Sequence, residues 1–370
     1  MVVKILIFQL IFLAVTFPVA ARSLARGTAR LPTERSIKAA ALARARERVL
    51  TTRPLALFYY SGDSLGMPSL QAHSDAITLL APQCYELDGA GALHGKFSAR
   101  ALEVARGAGL PLMPLVTNSG FDRLAAHQLL QNAKAQARAA TNLAEVAERD
   151  EYVGWQLDLE DIDPADESAY TRFTARVAGR LHHDQRLLSV AVVPRFSDRF
   201  PDSSKPGFHT SEWGAAYDFR GLGRIADFLV IMAYDQHTPL TPPGPIAAYD
   251  WVSAALDYAV RRMPPSKILL GVPFYGREWA ETSGATTCHS LAYKDLKPFL
   301  EDPASERHWD DLWRTTWFVL QEGETQRTAW FDDARSLREK LALVPLYHLR
   351  GYAAWRLGAE DPEFWQSEGQ

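Results

Sequence analysis

A chain of 370 residues with 47% hydrophobic composition can bury a large core, as one barrel-sized domain or as two or three smaller ones. A net charge of −4 is small and acidic, so it gives no sign of nucleic-acid binding, which wants a strongly basic face. The two cysteines, Cys84 and Cys288, are too few for a disulfide framework, and whether they pair is left open by the sequence.

The N-terminus, MVVKILIFQLIFLAVTFPVAARS, has a lysine, an apolar run and then small residues. The run is about 15 residues, short of the ~20 that a membrane span needs. With Pro18 and Val19-Ala20-Ala21 at its end, it reads as a signal peptide over residues 1–21, cleaved after Ala21. The expected location is therefore secreted or periplasmic, with no integral span after cleavage. Residues 22–53, polar and rich in Ala and Arg, read as a linker with one surface helix.

From residue 54 strands and helices alternate. LALFYY (55–60) and AITLLAPQCYEL (76–87) are the first two strands. A helix over 98–109 follows, with Ser98 as cap and Gly109 just past its end. LPLMPLVTN (110–118) is the third strand, and residues 122–149 carry helical spacing. The fourth strand lies in YVGWQLDLEDID (152–163), and a helix over 165–183 comes next. LLSVAVVPR (187–195), ADFLVIMAYD (226–235) and KILLGVPFYG (267–276) are strands five to seven, with a helix over 249–263 before the last. After a long gap come a helix at 337–345 and an eighth strand, GYAAWRLG (351–358). Eight buried-type strands alternating with helices, without a Gly-rich phosphate loop after the first, predict an α/β fold of the (β/α)8 TIM-barrel type. The gap holds residues 277–334, predicted as a small α+β insertion between strands seven and eight with a hairpin around Gly323.

The fourth strand carries the chemistry. Val153, Trp155, Leu157 and Leu159 alternate with Gln156, Asp158 and Glu160. Period-two alternation assigns the apolar set to the helix-facing side and the polar set to the barrel interior. Two acids inside a barrel are costly unless they sit at the C-terminal mouth, where sites of this fold form. A close acid pair raises one pKa, which makes a general acid usable near neutral pH. Other strand ends converge there: Met232, Tyr234 and Asp235 from strand six, Trp355 from strand eight, Tyr59-Tyr60 from strand one and Phe274-Tyr275 from strand seven. Acids among flat apolar rings suit a sugar.

These residues resemble glycoside hydrolase family 18, the chitinase-like barrels, from about residue 54 to the end. The family's fourth strand reads D-G-x-D-x-D-x-E; this chain has Val153, Gly154, Gln156, Asp158 and Glu160 in that register. Its M-x-Y-D is matched by Met232, Tyr234 and Asp235, and its final tryptophan by Trp355. GVPFYGREW and GYAAWRLGAED, with the insertion between them, resemble a bacterial branch of spore-cortex and peptidoglycan N-acetylglucosaminidases. The resemblance implies a substrate-assisted retaining glycosidase acting on β-1,4-linked N-acetylglucosamine glycans, an exception to the two-carboxylate scheme. In it Glu160 is the general acid and base, and Asp158 orients the substrate's 2-acetamido group. Tyr234 hydrogen-bonds that group, Trp355 forms the floor, Asp235 touches the sugar or tunes Glu160, and Gln156, Met232, Tyr60 and Tyr275 complete the binding site. No metal or organic cofactor is implied, and a monomer is expected. The chain departs from the pattern at Val153 and Gln156. The glutamine is expected to hydrogen-bond Asp158, although it cannot share a proton with it. Two alternatives use the same residues: a carbohydrate-binding barrel without turnover, and a hydrolase of non-acetamido glycans with Asp235 as nucleophile.

Overall fold

The structure, a computed structural model, describes residues 33–200 and 211–367. The expected signal segment and the start of the expected linker lie outside the described residues. Eight parallel strands close into a barrel, and the first seven are β1 (Leu55–Tyr60), β2 (Leu79–Leu87), which carries the short antiparallel β3 (Leu93–Gly95), β4 (Leu115–Asn118), β5 (Gly154–Leu157), β6 (Leu187–Val192), β7 (Phe228–Ile231) and β8 (Ile268–Pro273). Strands β9 (Gly276–Thr282), β10 (Ala285–Leu291), β11 (Glu306–Asp310), β12 (Thr315–Glu322) and β13 (Thr325–Phe331) form a separate antiparallel sheet. The barrel then closes with β14 (Gly351–Trp355), which pairs with both β8 and β1, while β1 also pairs with β2.

The strands are buried on both faces, as covered parallel strands require. Inside the barrel Leu55, Leu57, Tyr59, Leu115, Leu187, Val230 and Ala353 belong to one interior cluster. Outside, Trp155, Leu157 and Leu159 join the core beneath the helices. The Trp155 indole donates to the Leu143 carbonyl at 2.8 Å, which ties β5 to the helix Ala133–Arg149. Gly154 is required where it stands: a Cβ there would lie 2.1 Å from the Leu187 carbonyl oxygen of β6.

Several expectations are corrected. Val153 was assigned to the helix-facing side but packs with the interior cluster. It precedes the first residue of β5, so strand alternation does not extend to it. The helical stretch 122–149 is two helices, Arg123–Gln131 and Ala133–Arg149, because the Asn132 side chain caps the second by accepting from the Lys134 and Ala135 amides. The helix within 22–53 is Glu34–Thr51, and it is more than a surface element: Val49 is fully buried, and Leu42, Ala45 and Leu50 pack against the interior cluster. Arg350 fixes it by donating to the Val49 carbonyl at 2.7 Å. Its Ala/Arg composition hides the narrow apolar stripe.

The second sheet, in the order β10-β9-β13-β12-β11, has its own core of Leu291, Leu296, Phe299, Phe318, Leu320, Ala329 and Phe331. The β12–β13 hairpin turns at Gly323, whose φ of 62° lies in the left-handed region that glycine adopts without strain. Cys84 and Cys288 are both free thiols, and burial pushes the Cys84 thiol up to about 12.

Candidate active site

Strand β5 ends at Leu157, and the next three residues run past it toward the mouth. The Asp158 amide still donates to the Val116 carbonyl at 3.0 Å. The Leu159 carbonyl accepts the Tyr217 hydroxyl at 2.8 Å. Glu160 donates its amide to Asn118 Oδ1 at 2.9 Å, and its carbonyl accepts from Asn118 Nδ2 at 3.0 Å. Asp161 follows at a φ of 50° and binds Arg123, whose guanidinium also reaches Glu212. The acid-bearing segment is thus fastened at every residue.

Asp158 is buried, and its Oδ1 has no hydrogen-bond partner among the described residues. Burial raises the pKa of both Asp158 and Glu160 above the ordinary carboxylate range. For Glu160 the negative charges of Asp158, Asp235 and Asp161 add to the effect of burial. Two buried carboxyls this close cannot both ionise cheaply, so the pair retains a proton toward neutral pH.

A polar bridge crosses the barrel. The Tyr59 hydroxyl donates to Gln156 Oε1 at 2.8 Å, and Gln156 Nε2 donates to Ser189 Oγ at 3.0 Å. Gln156 and Ser189 are fully buried and Tyr59 nearly so. The Tyr59 ring also meets Trp355, centroid to centroid 5.1 Å. On the side of β7 and β8, the Tyr234 ring lies edge-on to Tyr275, with centroids 6.3 Å apart. Gly271 makes room for it, since a Cβ there would stand 3.1 Å from Tyr234 Cε1. Burial and the nearby Tyr59 and Asp158 hold the Tyr234 phenol protonated, hence a donor. The Tyr275 hydroxyl donates to the Asp235 carboxylate, and Arg277 pairs with the same carboxylate at 2.6 Å. Arg277 is held in turn by the His237 carbonyl at 2.7 Å. Met232 is buried, one turn of the alternation beyond Val230.

Asp158, Glu160, Asp235 and Tyr234 lie within electrostatic reach of one another, Tyr275 bonds Asp235, and Trp355 meets Tyr59. Tyr60 does not join them. It packs in the core under the helices, edge-on to Phe97 at 5.9 Å and over Gly66. Its neighbour Tyr59 is the inward residue. Gln156 is also misassigned as a substrate contact: it is sealed from solvent, and its amide serves Tyr59 and Ser189, not Asp158. Sequence reasoning placed Tyr59 at the strand end but chose Tyr60 over it as the site residue, and it missed Asn118, Ser189, Tyr217 and Arg277. Asn118 had a signal, as a polar residue ending the strand beside β5. Among the described residues, no group of three or more His, Cys, Asp and Glu side chains is arranged to hold a metal ion.

A closed eight-stranded barrel with paired acids beyond its fourth strand and aromatic rings around them is the arrangement of a glycosidase. The family model "Glycosyl hydrolases family 18" matches residues 109–360, and the chain belongs to that family. Among curated proteins it is 23% identical to the "uncharacterized glycosylase YvbX" of Bacillus subtilis (strain 168), over 84% of this chain and 89% of that one. It is 27% identical to the cortical fragment-lytic enzyme of the same organism, over 69% of this chain and 58% of that one, so it spans little more than half of that relative. Among solved structures it is similar to a chitinase from Chromobacterium violaceum ATCC 12472, with 29% identity, a TM-score of 0.77, and coverage of 86% of this chain and 98% of that one. It is likewise similar to the spore cortex-lytic enzyme SleL of Bacillus cereus, with 25% identity, a TM-score of 0.74, and coverage of 85% and 73%.

Proposed function

We propose that this glycosidase cleaves β-1,4-linked N-acetylglucosamine glycans, of peptidoglycan or chitin type, by a substrate-assisted retaining mechanism. The observation that carries the reading is the buried, unpartnered Oδ1 of Asp158 beside a Glu160 whose pKa is raised. A buried polar atom without a partner costs free energy, and an amide N–H of the substrate would relieve it. A 2-acetamido group supplies that N–H. The cortical fragment-lytic enzyme among its relatives favours the same substrate class.

In this mechanism protonated Glu160 gives its proton to the glycosidic oxygen as the C1–O bond breaks. The carbonyl oxygen of the sugar's own acetamido group attacks C1 and forms a cyclic cation. Asp158 holds the acetamido N–H and balances the positive charge. The Tyr234 hydroxyl donates a hydrogen bond to the acetamido oxygen and keeps its proton, and Trp355 lies beneath the sugar ring. Glu160, now ionised, then takes a proton from water, whose oxygen attacks C1 from the face of the departed group; the C1–O bond to the acetamido oxygen breaks, the acetamido group is restored and the configuration is retained. Asp235, shared by Tyr275 and Arg277, keeps a negative charge near Glu160 and with it the higher pKa. The apolar N-terminal run favours action outside the cytoplasm.

The test is hydrolysis of N-acetylglucosamine oligomers and purified peptidoglycan by the chain from residue 22 onward, with Glu160→Gln beside it. Products from wild type and none from the variant are expected. Binding by both proteins with turnover by neither would replace this reading with a sugar-binding barrel.

A further inference from the structure

We propose that Asn118 is a positioning residue for the reaction: its carboxamide holds the Glu160 backbone and thereby aims the Glu160 carboxyl. This rests on reading Glu160 as the general acid. The need for such a group follows from the strands. In the β4–β5 ladder Leu115 faces Gln156 and Val116 faces Leu157, and the pairing stops there. Glu160 lies three residues further on, where its amide and carbonyl have left the ladder. A segment in that position wanders unless a side chain replaces the missing strand partner.

Asn118, the last residue of β4, takes that place. Its Oδ1 accepts from the Glu160 amide at 2.9 Å, and its Nδ2 donates to the Glu160 carbonyl at 3.0 Å. The two bonds reproduce the donor and acceptor of a strand neighbour. Nδ2 also donates to the Asp122 carbonyl at 3.1 Å. Asp122 caps the helix Arg123–Gln131, so the carboxamide is anchored to a rigid element. Rotating the amide by half a turn would set N–H against N–H and C=O against C=O, so the asparagine has one orientation. It is fully buried, so bulk water does not compete for these bonds in the native protein. No other side chain of similar size supplies one acceptor and two donors in a plane. Neighbouring Leu159 is held at its carbonyl alone, by Tyr217.

The groups that face Glu160 are the acids Asp158, Asp161 and Asp235 and the phenols of Tyr59, Tyr170, Tyr217 and Tyr234. Asn118 adds no charge to this set, so its loss acts through geometry and hydration alone.

The experiment compares wild type with Asn118→Ala and Asn118→Asp in the whole chain. It measures kcat and KM on an N-acetylglucosamine oligomer, and the titration of the Glu160 carboxyl by carbon-13 NMR, with Glu160→Gln for assignment. Asn118→Asp keeps the size and the acceptor but removes both donors, and it is a second variant of different volume from the alanine one. The expected result is a fall in kcat of about 10- to 100-fold with KM nearly unchanged, as a misplaced catalytic group produces. In Asn118→Ala the Glu160 titration should also move back toward the ordinary carboxylate range as the freed segment takes up water. Unchanged kcat and titration in a folded variant would overturn the proposal, as would a loss that only follows the folded fraction by circular dichroism. If wild type hydrolyses nothing, the proposed function falls, and the titration alone decides whether Asn118 holds Glu160.

Discussion

Replacing Gln156 with Met separates a bracing role from a substrate contact. Methionine conserves the volume, so no cavity opens, and such swaps by themselves cost under ~1.5 kcal/mol. What the change removes is the bridge from Tyr59 Oη to Gln156 Oε1 at 2.8 Å and from Gln156 Nε2 to Ser189 Oγ at 3.0 Å. Both hydroxyls are buried. An orphaned buried polar group costs about 1–3 kcal/mol, so two orphans should cost about 2–6 kcal/mol. That is a large part of a typical folding stability of ~5–15 kcal/mol. The single variants orphan three groups between them, Tyr59 Oη and Ser189 Oγ in one and Gln156 Oε1 in the other, and the double variant with Tyr59→Phe orphans Ser189 Oγ alone, so the two changes should be less than additive by two orphans, about 2–6 kcal/mol. The assay is urea unfolding of wild type, both single variants and the double variant at fixed pH, with KM measured on each. A cost below about 0.5 kcal/mol, the range of ordinary surface changes, would refute the bracing argument, as would strict additivity. A large rise in KM from Gln156→Met alone would return the residue to the substrate.

The acid pair and its surroundings give two more predictions. Asp158 and Glu160 have native pKa values raised above the ordinary carboxylate range. The folded state therefore keeps their protons to higher pH than the unfolded chain does. Their contribution to stability is complete below the ordinary range and is lost as pH rises through the native values. Asp158→Asn cannot ionise, so its Tm should fall less than that of wild type between about pH 5 and pH 8, measured by calorimetry; parallel Tm curves would contradict this. Removing Arg277 leaves the Asp235 charge uncompensated, so Arg277→Met should shift the basic limb of the kcat/KM profile upward. Asp235→Asn should shift it downward, and shifts of the same sign would refute the coupling.

The barrel was legible because each parallel strand is a short buried run between helical segments. The acids were legible because Asp158 and Glu160 interrupt an apolar alternation. Tyr59 and Tyr60 could not be told apart, since every residue of LALFYY is buried and no polar residue marks the inner face. Gln156 was placed on the correct face, but its depth depends on partners from β1 and β6, distant in sequence. Arg277 was hidden for another reason. It begins the second sheet, and its contact with Asp235 depends on how β9 leaves β8, a geometry no local pattern encodes. The helix Glu34–Thr51 read as a solvated segment because only a few of its residues touch the barrel.

The central claim is that the substrate's acetamido oxygen, and not a protein carboxylate, attacks C1 while Glu160 supplies the proton. The most direct measurement is proton NMR of the first product formed from an N-acetylglucosamine oligomer, with the fully de-N-acetylated oligomer of equal length as comparison. The account predicts the β-anomer as first product and no cleavage of the de-N-acetylated chain. An α-anomer, or equal cleavage of both oligomers, would contradict it.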